Sequence, residues 1–384
     1  MDMALVFLSL AKNNLSGVIP NSTCEASNLQ VLELSNNKLS GKIPSNLGQC
    51  SKLFVLNLEK NDLKGTIPNI FANVTSLDTL KLGLNRLKGN MPSSLANCGS
   101  LEILDLRNNN IHGGLSTWIE SFQSLGILVL KSNKFVGKIP LEFSNLLNLQ
   151  ILDLSSNKFS GIIPIDFMSL TEMANQTEST KTLEYQASIG VTYTNQMIIA
   201  NKGQVIEYAK ILGLVKSLQL SNNNLSSKIP WHTESLKGLI ILNFSRIHFN
   251  GEIPNSLGSM VQLESLDLSK KELSGTFPAK LQQFTSLNYF NVSYNNLSGM
   301  IPQGRQLITF DSSSFSNNLG LCGLQNKISC SGSHHNPVSP SDKEDTTTVE
   351  DNILWDVGMG MGNAFGFCVI PNLGVQSASE LWMP

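Results

Sequence analysis

A 24-residue period runs through this chain and constrains its fold more than any other feature. The pattern reads L-x-x-L-x-L-x-x-N-x-L-x-G-x-I-P. It starts at Leu5, Leu29, Leu53, Leu77, Leu101, Leu125 and Leu149, then resumes at Val215, Leu239, Leu263 and Leu287. Seven units, an interruption and four more units follow one another. A fixed period of this length marks stacked supersecondary units, each packing only on its neighbours. A globular chain of 384 residues would divide into two or three cores. A stacked array escapes that rule.

The unit beginning at Leu29 explains the pattern physically. Leu32 and Leu34 alternate with Glu33, the period of a strand with one buried face. Leu29, Leu39 and Ile43 complete the buried set. Asn37 turns the chain out of the strand, and its amide can satisfy backbone groups of adjacent coils. Gly41 permits a tight bend and Pro44 ends it. Ile247 and Lys271 stand where the turn Asn belongs, and Ser227 replaces the Gly. These units are expected to stack with a less regular turn. The predicted fold is an α/β-type solenoid, a leucine-rich-repeat right-handed superhelix with a concave parallel β-sheet and about 11 repeats.

Composition adds exclusions. The net charge is −2, so no global field draws the chain to nucleic acid. The five His lack metal-ligand spacing with Cys or carboxylates. No nucleophile elbow, Walker loop or kinase motif set occurs. Asp105, Asp153 and Asp267 recur at one repeat position, which marks them as surface residues of the sheet. No catalytic residue, metal or cofactor is expected, and the chain reads as a binder. Residues flanking the strand leucines should point outward and meet a protein or peptide. The candidates are Glu33, Asn57, Lys81, Asp105, Arg107, Lys131, Asp153, Arg246 and Asp267. Tyr289 and Tyr294 join them, because aromatics concentrate binding energy.

The G-x-I-P endings (Gly17–Pro20, Gly65–Pro68, Gly161–Pro164) resemble the plant-specific class of leucine-rich repeats. Three further features resemble plant receptor-like proteins, the kinase-less cell-surface receptors. The 42 residues 173–214 interrupt the array, and the stretch Tyr193 to Tyr208 is similar to that family's island domain. The run Asn291-Val-Ser-Tyr-Asn-Asn-Leu-Ser-Gly-Met-Ile-Pro leads through Gln306 and Phe310 to Asn318-Leu-Gly-Leu-Cys-Gly, which resembles the family's C-terminal cap. An acidic segment then precedes a Gly-rich apolar run. The resemblance spans roughly residues 4–370.

This reading divides the chain into repeats 1–172, an island 173–214, repeats 215–310, a cap 311–330, an acidic linker 331–356 and a Gly-rich partial transmembrane segment with tail 357–384. The run Val357 to Ile370 gives 14 apolar residues, about 21 Å as a helix. A span needs about 20 residues. Leu5, Leu8 and Leu10 sit in repeat register rather than in a signal peptide. The first coil therefore lacks a cap, and the chain is expected to be truncated at both ends.

The resemblance implies an extracellular-facing, single-pass plasma-membrane protein in immune recognition, with a developmental peptide receptor as the alternative. It implies a protein or peptide ligand, a co-receptor kinase of the SERK type and an adaptor receptor kinase. Tyr185, Tyr193, Lys202 and Tyr208 are the island candidates for ligand and co-receptor contact. It also favours a disulfide between Cys322 and Cys330. Cys24, Cys50 and Cys98 are expected as buried free thiols, with a Cys24–Cys50 bond left open. Eight N-x-S/T sequons, at Asn14, Asn21, Asn73, Asn175, Asn224, Asn243, Asn291 and Asn296, fit a glycoprotein. A secreted inhibitor of cell-wall hydrolases shares the repeat class but usually lacks the insert and the acidic, Gly-rich tail.

Overall fold

Three-residue strands recur once per repeat, as at Val31–Glu33, Val55–Asn57 and Thr79–Lys81. The computed structural model describes residues 5–330 except 26–27, 165–166, 168–169, 178–182, 202–203, 210–211 and 305. Lys202, Cys368, the acidic linker 331–356 and the tail 357–384 lie outside the described residues. The strands join in chain order into one parallel sheet of eleven. Leu32 pairs with Leu56 and Leu56 with Leu80, one period each time. Ile151 pairs with Ser217, a step of 66 residues. The surplus over one period, 66 − 24 = 42 residues, is looped out without a register slip.

A second strand follows each turn, for example Lys38–Gly41, Asp62–Thr66 and Arg86–Gly89. These build a twelve-stranded sheet. A short 3-10 helix such as Ser45–Gln49, entered from Pro44, closes the coil. The leucines of every layer form one continuous core, from Ile19 to Leu321. Phenylalanines stack through it, with Phe135 and Phe159 6.0 Å apart.

The turn asparagines do what their spacing predicts. Asn61 Nδ2 donates to the Leu34 carbonyl at 3.0 Å and the Leu58 carbonyl at 3.2 Å, and its Oδ1 accepts the Leu39 N–H at 3.0 Å. One side chain thereby satisfies buried backbone groups in two coils. The residue before it adopts the left-handed conformation in every repeat, as at Asn36 and Leu84. Gly41 does so at φ 81°, where a Cβ would strain the backbone. Ser227 takes no such conformation, and its strand Asn224–Ser227 still forms.

The two degenerate turns keep their stacking. Ile241 pairs with Ser265 and Ser265 with Tyr289. The asparagine bonds are missing there, and the Phe249 N–H turns instead to the Ile247 carbonyl at 2.8 Å. Lys271 buries its amine over the Phe249 ring, 4.3 Å from the centroid, with no hydrogen-bond partner. Burial holds that amine well below its ordinary pKa.

Cys24 and Cys50 depart from the expectation of free thiols, because they form a disulfide with Cα atoms 5.2 Å apart. Stacking places consecutive coils side by side, so a separation of 26 residues becomes bonding distance. Cys98 stays free and buried, and desolvation pushes its thiol up to about 11. Cys322 and Cys330 are bonded. Asn318 extends the asparagine ladder past the last repeat, accepting the Leu297 N–H at 3.0 Å.

Candidate functional site

Six successive repeats carry an unusual column on the outward face of the eleven-stranded sheet. Val31, Val55, Thr79, Ile103, Ile127 and Ile151 occupy the first outward position of successive strands, and all are buried. The insert covers them. Leu183, Met197, Ile199 and Tyr208 pack with Ile103, Ile127, Val129, Ile151 and Ile241 in one apolar cluster. Tyr193 packs with Val31 and Val55 in a second. Two antiparallel hairpins build this cover, Glu184–Gln186 with Thr192–Thr194 and Met197–Asn201 with Gln204–Tyr208.

Polar residues of the sheet fix the cover in place. Tyr193 Oη donates to Glu33 Oε2 at 2.8 Å and accepts from Asn57 Nδ2 at 3.0 Å. Asn57 also donates to Glu33 at 2.7 Å. The Tyr185 ring stacks on Phe54 with centroids 4.0 Å apart, and its hydroxyl donates to Gln30 at 3.1 Å. Lys81 Nζ donates to the Gln196 carbonyl at 2.8 Å, and Arg107 Nη1 reaches the Ile198 carbonyl at 3.3 Å. Both cations thus satisfy carbonyls at and just before the start of the second hairpin, which would otherwise lose water. Arg107 is paired with Glu59 and with Asp105, the latter at 3.0 Å.

This buried cluster perturbs its own titration. Desolvation lowers Lys81 to about 8, although Glu59, Asp105 and Glu33 pull the other way. Desolvation raises Glu59, helped by the Asp105 charge. Tyr193 is pushed well above its ordinary value by burial and by Glu33. Asp153 is raised by burial. A cavity of about 440 Å³ remains at the edge of the cover, lined by Glu33, Glu59, Lys81, Arg107, Tyr193 and Glu207 among others.

The outward row of binding candidates therefore needs correction. Glu33, Asn57, Lys81, Asp105, Arg107 and Asp153 are buried beneath or beside the insert. The reason is the apolar column beside them, which no solvated sheet would carry across six strands. In the sequence, that column is the feature that marks the covered face. The repeating carboxylates also have a local task. Asp105 Oδ1 accepts the Arg107 N–H at 3.0 Å, Asp153 the Ser155 N–H at 2.9 Å, and Asp267 the Ser269 N–H at 3.0 Å. Each caps the chain as it leaves the strand. Tyr193 and Tyr208 are buried and Tyr185 is half-buried, all facing the sheet.

Beyond Ile241 the outward face is open. Asn243, Asp267, Tyr289 and Asn291 are half-buried, while Arg246 and Tyr294 are exposed. Lys131 is half-buried. Lys270 Nζ lies 5.4 Å from the Tyr294 ring centroid, and Tyr289 Oη lies 3.5 Å from Asp267 Oδ2. The base of the insert fits tightly against this half. Lys216 Nζ donates to the Asn175 carbonyl at 2.6 Å and pairs with Glu172 at 3.2 Å. A Cβ on Gly238 would stand 1.9 Å from that same Asn175 oxygen, so only glycine admits the strap.

Of the sequon asparagines, Asn14, Asn21, Asn73, Asn175, Asn224 and Asn296 are exposed. Asn243 and Asn291 use Oδ1 to accept the N–H of Ser245 and Ser293, both at 3.0 Å. Among the described residues, no group of three or more His, Cys, Asp or Glu is placed to hold a metal ion, and no helix is long and apolar enough to cross a membrane.

The stacked parallel coils, the asparagine ladder and the paired outer sheets define a leucine-rich-repeat solenoid. The leucine-rich-repeat family model matches residues 28–50, 100–122, 148–170 and 214–236. The structure is similar to those of plant leucine-rich-repeat receptor ectodomains. It is similar to the Arabidopsis receptor kinase HAESA, solved with the peptide hormone IDA and the co-receptor SERK1, at 29% identity over 84% of this chain and 51% of that one, TM-score 0.63. It is similar to PEPR1 in the PEPR1–AtPEP1 structure, at 27% identity over 83% and 42%, TM-score 0.63. A TDR receptor matches at 25% identity over 82% and 47%, TM-score 0.65. The chain thus spans about half or less of these solved chains. No curated protein matches it in sequence.

Proposed function

We propose that this chain is the ligand-binding part of a plant cell-surface receptor-like protein, with the ligand seated on the last four repeats. One observation carries the reading. The insert closes the sheet up to Ile241 and leaves Asp267, Tyr289, Asn291 and Tyr294 accessible beside it. Such a half-open face, with two tyrosines and flanking Arg246 and Lys270, suits an extended peptide bearing acidic and apolar side chains. The named complexes of HAESA and PEPR1 support a peptide over a larger folded ligand. A co-receptor ectodomain of the SERK type would close over the peptide at the same end. An adaptor kinase, a membrane anchor, glycans on the eight sequons and an immune role rest on the family resemblance. No residue here is assigned to catalysis.

The test uses the purified chain, a SERK1 ectodomain and a panel of synthetic elicitor peptides in biosensor binding. Peptide-dependent capture of SERK1 is expected. Tyr289→Ala with Tyr294→Ala should weaken it at least about tenfold, about 1.4 kcal/mol. Capture that the double variant leaves unchanged would move the ligand elsewhere, and no capture with any peptide would remove the co-receptor reading.

A further inference from the structure

The second sheet has an electrostatic asymmetry that peptide recognition on the first sheet does not use. We propose that its outward face, over the seven repeats before the insert, binds a linear carboxylate-bearing polysaccharide.

The chain as a whole is nearly neutral, but this face is not. Lys38, Arg86, Lys134 and Lys158 share one repeat position. Lys64 and Lys88 share the outward position two residues later, and Lys42 and Lys138 the one after that. All eight are exposed. Asp62 is the sole carboxylate at these positions before the insert, and it pairs with Arg86 at 2.8 Å. Among the described residues no other of these cations has an ion-pair partner. After the insert the same positions carry Lys228 against Glu252 and Glu272, and the excess vanishes.

The register makes the excess costly. Lys64 and Arg86 stand directly opposite on adjacent strands, where like charges repel. Strands lie about 4.8 Å apart, so the cations gather in two close groups, one over the second to fourth repeats and one at Lys134, Lys138 and Lys158, with the uncharged fifth repeat between them. Close groups of like charge are complementary to a polymer with one anion per repeating unit. The intervening positions hold Ser40, Thr66, Asn90, Asn110 and Ser160, which can exchange hydrogen bonds with sugar hydroxyls. No Phe, Tyr or Trp side chain occupies the three outward positions before the insert, and His112 is the one imidazole there. A single-stranded nucleic acid would want such stacking platforms. The two disulfides fit an oxidising setting such as the cell exterior. The sequon asparagines Asn14 and Asn224 occupy the Lys38 position at either end of the basic run. Sugars there would frame the run without covering it.

The experiment titrates the full chain with an oligogalacturonate of defined length, at several NaCl concentrations. Binding is expected at low salt, with affinity falling at least about tenfold between ~50 and ~200 mM NaCl as counterions are released. Lys64→Ser/Lys88→Ser/Lys134→Ser should lower affinity at least about tenfold and roughly halve the salt slope, with melting unchanged because all three are exposed. Lys228→Ser/Lys237→Ser, outside the run, should bind as wild type. The proposal fails if wild-type chain does not bind the oligomer at low salt, or if the triple variant binds equally well. It also fails if phosphatidylserine vesicles or single-stranded DNA bind more tightly than the oligogalacturonate. Peptide-dependent SERK1 capture is unaffected by any of these outcomes, so the two readings fall separately.

Discussion

Ile127 and Ser265 hold the same repeat position, yet different surroundings cover them. Ile127 lies under the insert in a continuous apolar cluster, whereas Ser265 is buried outside that cluster and Asp267 on the same strand is only half-buried. The turn residues divide the same way. Asn37, Asn61, Asn85, Asn109, Asn133 and Asn157 form an unbroken ladder before the insert. After it, Ile247 and Lys271 break the ladder between Asn223 and Asn295. One half is covered and its turn ladder is unbroken; the other is partly open, and its turns are less well satisfied. The difference fits the proposed receptor role, in which the covered half holds the insert beside the proposed recognition face.

The largest expected effect tests the seal. Ile127→Asp should destabilise the chain by at least about 3 kcal/mol, because a carboxylate would be buried without a partner. Asn243→Asp, on the half-buried row past the cover, should cost under about 1 kcal/mol. Urea unfolding of both variants measures the contrast, and equal losses would mean that the insert does not close the sheet.

A smaller effect concerns the first coils. The Cys24–Cys50 bond closes a loop of 26 residues, worth about 3 kcal/mol in chain entropy. A Cys24→Ser/Cys50→Ser variant should open the first two repeats. Hydrogen exchange should then accelerate at Val31–Glu33 and stay slow at Ile151–Asp153. Uniform acceleration would show that the array unfolds as one unit.

The smallest effect probes the broken ladder. Lys271→Asn restores the turn amide and removes a buried amine, and should stabilise by about 1–2 kcal/mol at neutral pH. The sign with pH follows from the lowered pKa of Lys271. Between that value and the ordinary ~10.4, the unfolded chain holds a proton that the folded chain does not. Wild-type stability should therefore rise with pH across this window and carry the full penalty below it. The gap between wild type and Lys271→Asn should narrow as pH rises. A constant gap from pH 7 to 10 would mean that the amine is solvated.

Much of the fold was legible because its forces are local. Leu32, Asn37 and Gly41 act within one coil or on the next, so spacing alone gives strand, turn and register. The Ile247 and Lys271 exceptions were equally legible as missing asparagines. The burial of the candidate row is not legible near the row itself, for a reason of range. Glu33 and Tyr193 are 160 residues apart, and nothing near Glu33 announces the hydroxyl that meets it. The Cys24–Cys50 bond was left open because it depends on the stagger of neighbouring coils, which the period implies only once the coils are stacked.

The sequence by itself determined the solenoid, its eleven periods and the place where they are interrupted. A side chain that packs on a copy of itself one period away carries its own address. Only the tertiary structure decided which face the insert covers. The insert has no period to register it, so its position follows from the apolar column and the two buried cations it finds across the sheet.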